Sequence, residues 1–367
     1  MPAATSTSIR EPLRDRLMER SILEEIAWAG VQAPSADNGL EYGFEYQDAA
    51  ICIWAGAGVL ANTERHRRVL DLFAFGAMAE NMRLRAGQFG LDGAIRWFPS
   101  DDPGLIARIE LQPRPGLGVD PLAAAIAARQ TNRHLVFKGP LSAAHKAGLA
   151  EKAQEIEGVR VQWLDGDRRQ AALKLIWQAE SARFQSRRLH DELFSSVRFD
   201  LGWKGSADRG LPPAALEVEP PMRPMFSALR HWPLMHFLNF FGMHRVMGLR
   251  AGYLPCRLAP ALAVVTTTLP LEPGALAAGR GFERLWLEAT RQELVLQPMA
   301  ASVVLPLQSD ADQGLPRAAR ESLAEGWRTI CGGELPLMAC RVGCAAGTKA
   351  PSVRTGRRPI ASYTRNS

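Results

Sequence analysis

The sequence predicts an α+β fold, a mixed sheet flanked by helices, made of two pseudo-symmetric halves fused in one chain. Three observations predict it. Apolar spacing switches repeatedly between the helical period of 3.6 and the strand period of two. A linker containing Pro113, Pro115, Gly116 and Gly118 divides the chain into residues 1–118 and 119–367. Two amphipathic stretches also superpose at an offset of 279 − 76 = 203, placing Gly76 on Gly279, Glu80 on Glu283, Leu84 on Leu287, Ala86 on Ala289 and Leu91 on Leu294. A glycine and a glutamate held at one register point to duplication. With 367 residues, 47% of them hydrophobic, the chain can bury a large core.

In chain order, Met18, Ile22 and Ile26 recur every four positions and predict a helix that Pro34 stops. The loop Ala33-Pro34-Ser35-Ala36-Asp37-Asn38-Gly39 follows, rich in side chains that bond backbone or ligand. A strand is expected over 50–54, then a glycine run over 56–61 that matches the GxGxxA dinucleotide form. That match lacks the acidic residue required at the end of the next strand. Val69, Leu72, Phe73, Gly76 and Ala77 form a helical stripe running to Gly90, and strands are expected over 94–98 and 105–111.

Past the linker, a helix around 122–128 leads into Arg129-Gln130-Thr131-Asn132-Arg133, in which two arginines bracket small polar residues. Such a turn suits an anion, though read alone it is more often a solvated basic helix end or turn. Helices over 143–156 and 168–194 flank a strand at 159–163. Residues 210–225 carry five prolines, and the Met- and aromatic-rich segment behind them reads as packing or as an apolar cap, so 210–247 is a candidate lid. His231, His236 and His244 lack metal-site spacing. A strand at 261–268, a helix at 279–294 and a strand at 335–341 precede Arg354-Thr355-Gly356-Arg357-Arg358-Pro359, which alone reads as a basic tail.

The loop, the arginine turn and the basic tail, taken in order, resemble the flavin-binding segments of the nitroreductase superfamily. The length and order are more narrowly similar to its fused, single-chain Acg-type members, in which two halves mimic a homodimer and hold FMN between them. The resemblance runs from about Ile22 to Ile360 and implies that Arg129, Thr131, Arg133, Arg357 and Arg358 grip the phosphate and ribityl chain, while Pro34, Ser35 and Asn38 reach the isoalloxazine ring. It implies an FMN oxidoreductase passing electrons or hydride to an oxidised organic substrate, with NADH or NADPH as donor; the alternative is a non-catalytic protein that sequesters FMN. Leu40-Glu41-Tyr42 replaces the family's Gln-Pro-Trp, and Gln130 stands where a second arginine or a histidine is frequent.

The expected partner is a small molecule, and the chain should be a monomer of pseudo-dimer architecture or a homodimer. The net charge of +6 comes without a nucleic-acid-binding signature, so none is expected to bind. Five cysteines without CxxC spacing, and a start without an apolar run behind basic residues, predict a cytoplasmic protein with reduced thiols. No window approaches the roughly 20 apolar residues of a membrane span.

Overall fold

The computed structural model describes residues 19–365; Met18 and the start of the chain lie outside the described residues. In the first half, the helix Arg20–Val31 leads to a hairpin of β1 (Tyr42–Gln47) and β2 (Ala50–Ala55). The long helix Arg65–Gln88 then connects to β3 (Leu91–Trp97) and β4 (Leu105–Pro113). In the second half, the helix Ala143–Gln154 precedes β5 (Val159–Trp163), β6 (Ala261–Thr267), the helix Leu271–Arg291, β7 (Leu294–Pro298) and β8 (Leu335–Cys344).

The sheets have the orders β1-β2-β4-β3 and β5-β6-β8-β7, with every pairing of named strands antiparallel. Adding four to each strand number in the first order gives the second, and a long helix joins the second and third strands in both. One topology therefore occurs twice. Among the described residues, the parallel component that the sequence led us to expect is limited to two isolated bridges, Thr364 to Phe44 at the edge of β1 and Val197 to Leu211.

The two long helices cross at the centre of the molecule. A Cβ on Gly76 would lie 2.1 Å from the carbonyl oxygen of Leu276, and one on Gly279 would lie 2.0 Å from that of Phe73. The partners are themselves related by 276 − 73 = 203, so the contact is reciprocal in the way a two-fold interface is. Backbones this close exclude every side chain but hydrogen, which explains why both positions are glycine. Around the crossing one hydrophobic core takes in Ile26, Phe44 and Phe75 from the first half with Phe282, Trp286 and Val342 from the second. The halves share a core, which makes them repeats within one folding unit.

The longest interruption of the duplication lies in the second half. Between β5 and β6 the chain inserts the helices Gly166–Gln185 and Arg187–Ser195, then irregular turns, then the short helices Arg223–Leu229, Trp232–Asn239 and Met243–Gly248. The helix expected near 122–128 is a 3-10 turn, Pro121–Ala125, started by Pro121 with Asp120 accepting from the Leu122 N–H at 3.0 Å. The glycine run at 56–61 opens only the four-residue helix Ala57–Leu60, and the Gly58 N–H is taken at 3.0 Å by the Glu41 carboxylate. That arrangement is not a dinucleotide loop.

Candidate functional site

The chain's end begins in the second half and is stapled across the first. Asn132 donates to the Lys349 carbonyl at 2.8 Å, the Gly356 N–H reaches the Ala207 carbonyl at 2.8 Å, and Tyr363 stacks on Tyr42 with ring centroids 4.9 Å apart. This path carries Arg357 under the loop that follows the first helix. The loop turns tightly because Asp37 and Asn38 take left-handed φ values of 54° and 53°, which short polar side chains tolerate. Arg357 donates to the carbonyls of Val31 at 2.6 Å and Ala33 at 3.1 Å, and to Asn38 Oδ1 at 2.8 Å. Asn38 Nδ2 in turn meets the Gly210 carbonyl at 3.4 Å, while the Gly210 N–H donates back to the Asn38 carbonyl at 3.0 Å. Loop, tail and lid stem are thus tied at one residue.

Seven of the eight residues singled out in the sequence border one cleft beside this knot: Pro34, Ser35, Asn38, Arg129, Thr131, Arg133 and Arg357. The eighth, Arg358, lies beside the cleft. It turns over the Tyr363 ring at 4.8 Å and borders an adjoining crevice with Tyr42 and Asp208, which shares Pro34, Ser35, Asn38 and Arg357 with the cleft. Its place in the cleft is taken by Arg354, which donates to the Arg129 carbonyl at 3.2 Å.

The cleft's cations outnumber its anions. Arg129 is buried beside Glu283, 3.3 Å away, donates to the Gln32 carbonyl at 2.7 Å and lies 4.5 Å over the Trp286 ring. Burial pulls it down to about 10, and Glu283 opposes this. Among the described residues, Arg133 donates only to the Ala215 carbonyl, at 3.3 Å, Arg354 to the Arg129 carbonyl, and Arg357 to carbonyls, the Asn38 amide oxygen and the Thr355 hydroxyl. Among the described residues, no carboxylate lies within 4.0 Å of any of these three guanidinium groups. Burial lowers the pKa of Arg133, Arg354 and Arg357 alike, the electrostatic cost an anion in the cleft would offset.

Pro34, Ser35, Thr131 and Arg133 also border a second, larger space of about 380 Å³ that residues 211–226 and Met247 help to line. Its walls are mostly apolar, with Phe282 and Trp286 of the second long helix on one side and Met225, Phe226 and Met247 of the lid on the other. A ligand could therefore be anionic at one end and flat and apolar at the other.

The related position in the first half is closed. Glu80, 203 residues before Glu283, is fully buried and receives Arg83 at 2.7 Å, Arg280 at 2.9 Å and Arg284 at 2.8 Å. Burial works against its charge, but Arg280, Arg83 and Arg284 outweigh burial and hold its carboxyl at about 2. At Glu283 burial prevails over the opposing effects of Arg129, Asn81 and Arg357, and its pKa is raised. Where the first repeat has the loop after Ala33, the second passes from Ile156 to β5 through a tight turn at Gly158, φ 75°. Only one of the two related sites is open.

One cluster in the cavity wall escaped the sequence reading. His66 is 1% exposed with both ring nitrogens unpartnered, and its Nε2 stands 3.7 Å from Glu64 and 3.6 Å from Glu192. Arg188 and Arg67 pair with these carboxylates. Glu192 is distant in sequence and on another helix, so no spacing signal could have joined it to His66.

No family model matches the chain, and no curated protein matches it. Among solved structures it is similar to the FMN-dependent nitroreductase NfnB from Mycobacterium smegmatis in complex with NADPH, at 17% identity over 66% of this chain and 96% of that one, TM-score 0.34. It is also similar to the FMN and NADPH-dependent nitroreductase NfnB from sphigopyxis sp. strain HMH, at 16% identity over 67% and 98%, TM-score 0.36. A third is a nitroreductase with bound FMN from Bacteroides fragilis, at 11% identity over 65% and 95%, TM-score 0.34. Likenesses this low leave the functional case to the site's own residues.

Proposed function

We propose that this chain is a fused, single-chain flavoprotein of the nitroreductase type that binds one FMN across the junction of its halves and works as an NAD(P)H-dependent oxidoreductase. One observation carries the reading: an arginine-rich cleft without matching carboxylates shares its wall with a larger apolar cavity, and that wall is Pro34, Ser35, Thr131 and Arg133. A phosphate fits the first space and a ring system the second. Arg133 and Arg354, whose N–H groups are only partly used, are the residues that would hold the phosphate; Arg129 and Arg357 support it with their charge and position the loop. Asn38 contributes by position, because its amide is engaged by Arg357 and Gly210.

The fused, Acg-type reading is supported by the repeated sheet order and the reciprocal glycine contact. When bound, FMN would take hydride from NADH or NADPH and pass electrons to an oxidised organic acceptor. The chain's own part is to exclude water under the lid and offer Phe282, Trp286 and Met338 as an apolar wall. The test is to load the protein with FMN and add NADPH or NADH anaerobically, following flavin absorbance. Bleaching that reverses on adding a nitroaromatic or quinone supports turnover. Absence of FMN binding would overturn the proposal, and a bound flavin that neither donor bleaches would leave a sequestering protein in its place.

A further inference from the structure

The lid ends in a helical hairpin whose tip is the most exposed apolar surface described in the chain. Phe240 and Phe241 are each 77% exposed, and Phe237, Val246 and Leu234 follow at 58%, 53% and 38%. The tip is held firmly. Asn239 donates to the Phe184 carbonyl at 3.0 Å and accepts from the His244 N–H at 3.0 Å, while Gly242 turns the chain at φ 82°. Beneath it, Leu229, Met235 and Met247 pack on Phe184 and Phe194. The aromatic rings therefore project because the hairpin is built to project them, at the cost of leaving apolar area in water.

Charge identifies the occupant. From Pro220 to Leu271 there is no aspartate or glutamate, while the same stretch holds Arg223, Arg230, Arg245, Arg250 and Arg257. Arg250 is paired with Glu219, but Arg230, Arg245 and Arg257 are exposed. Trp177, on the neighbouring helix, is also exposed and donates its indole N–H to the Arg245 carbonyl at 3.0 Å, an apolar ring with a polar tip at the rim. A projecting aromatic tip on a hairpin that exposes Arg230 and Arg245 matches the interface of a bilayer carrying anionic headgroups, with rings among the acyl chains and guanidinium groups at the phosphates. We propose that this hairpin docks the protein on an anionic lipid surface.

Co-sedimentation of the full chain with vesicles of phosphatidylcholine alone, or of phosphatidylcholine with phosphatidylglycerol, tests this without reference to any flavin. Binding is expected to the anionic vesicles, weakening as salt rises. The pair Phe240→Ser, Phe241→Ser should weaken it by about tenfold or more, as should Arg230→Glu with Arg245→Glu. All four side chains are exposed, and circular dichroism should confirm that both variants fold. No sedimentation with anionic vesicles, or binding unchanged in both variants, would overturn the proposal. So would a concentration-dependent dimer in light scattering that the phenylalanine pair abolishes without vesicle binding, which would make a second copy the occupant.

Discussion

Glu80→Gln tests the claim that the first repeat's site has been closed by charge. Glutamine keeps the shape and removes the charge that three arginines share. Arg83 and Arg280, with side chains 33% and 23% exposed, can turn toward water; Arg284, at 2%, keeps Asp120 at 2.9 Å and Glu155. That places the loss at the low end of the range for breaking a buried ion pair, roughly 3 kcal/mol. Linkage gives a similar figure: a carboxyl lowered from 4.5 to about 2 contributes on the order of 3 kcal/mol. Because the folded-state pKa is depressed, this stability is fully present above pH 4.5 and is lost as pH falls toward 2. Urea unfolding at neutral pH should show the variant's midpoint about 1 M lower, given a slope near 3 kcal/mol/M for a chain this long. The gap should close as the acid end is approached. Equal midpoints at neutral pH, or a gap indifferent to pH, would refute the ion-cluster account.

Other outcomes follow from the same geometry. Gly279→Ala would put a methyl group 2.0 Å from the Phe73 carbonyl oxygen, so the helices must separate; a loss of about 3 kcal/mol in the same unfolding assay is expected, and a neutral variant would contradict the close crossing. Arg133→Ala should weaken FMN binding by about one to two decades with little change in the flavin spectrum, read by fluorescence titration. Asn38→Leu breaks the ties to Arg357 and Gly210, so limited proteolysis should cut faster in the chain's last segment and in the lid stem near Gly210; unchanged cutting would count against the knot.

Much of this was legible in the sequence, for physical reasons. The offset of 203 was readable because a backbone crossing admits only glycine and a buried carboxylate is hard to replace. Strands β2, β4, β5, β6 and β8 announced themselves by β-branched or apolar content, and β5 was placed to the residue. The edge strand β1, Tyr-Gly-Phe-Glu-Tyr-Gln, carried no such signal, and the short apolar β7 was masked because it follows directly on a helix. Proline density marked the irregular turns over 210–222, but the helices that follow were hidden because their prolines sit in first turns. Arginine type and spacing located the cleft. They could not show that Arg358 turns to Tyr363 while Arg354 and Arg357 face inward, since residues 353–359 form no regular element whose period would fix side-chain direction.

The central claim, one open composite site where symmetry would allow two, is tested most directly by flavin stoichiometry. Purified protein titrated with FMN, with bound flavin counted by absorbance after gel filtration, should reach one FMN per chain and lose much of it in Arg133→Ala. Two FMN per chain, or none, would contradict the account.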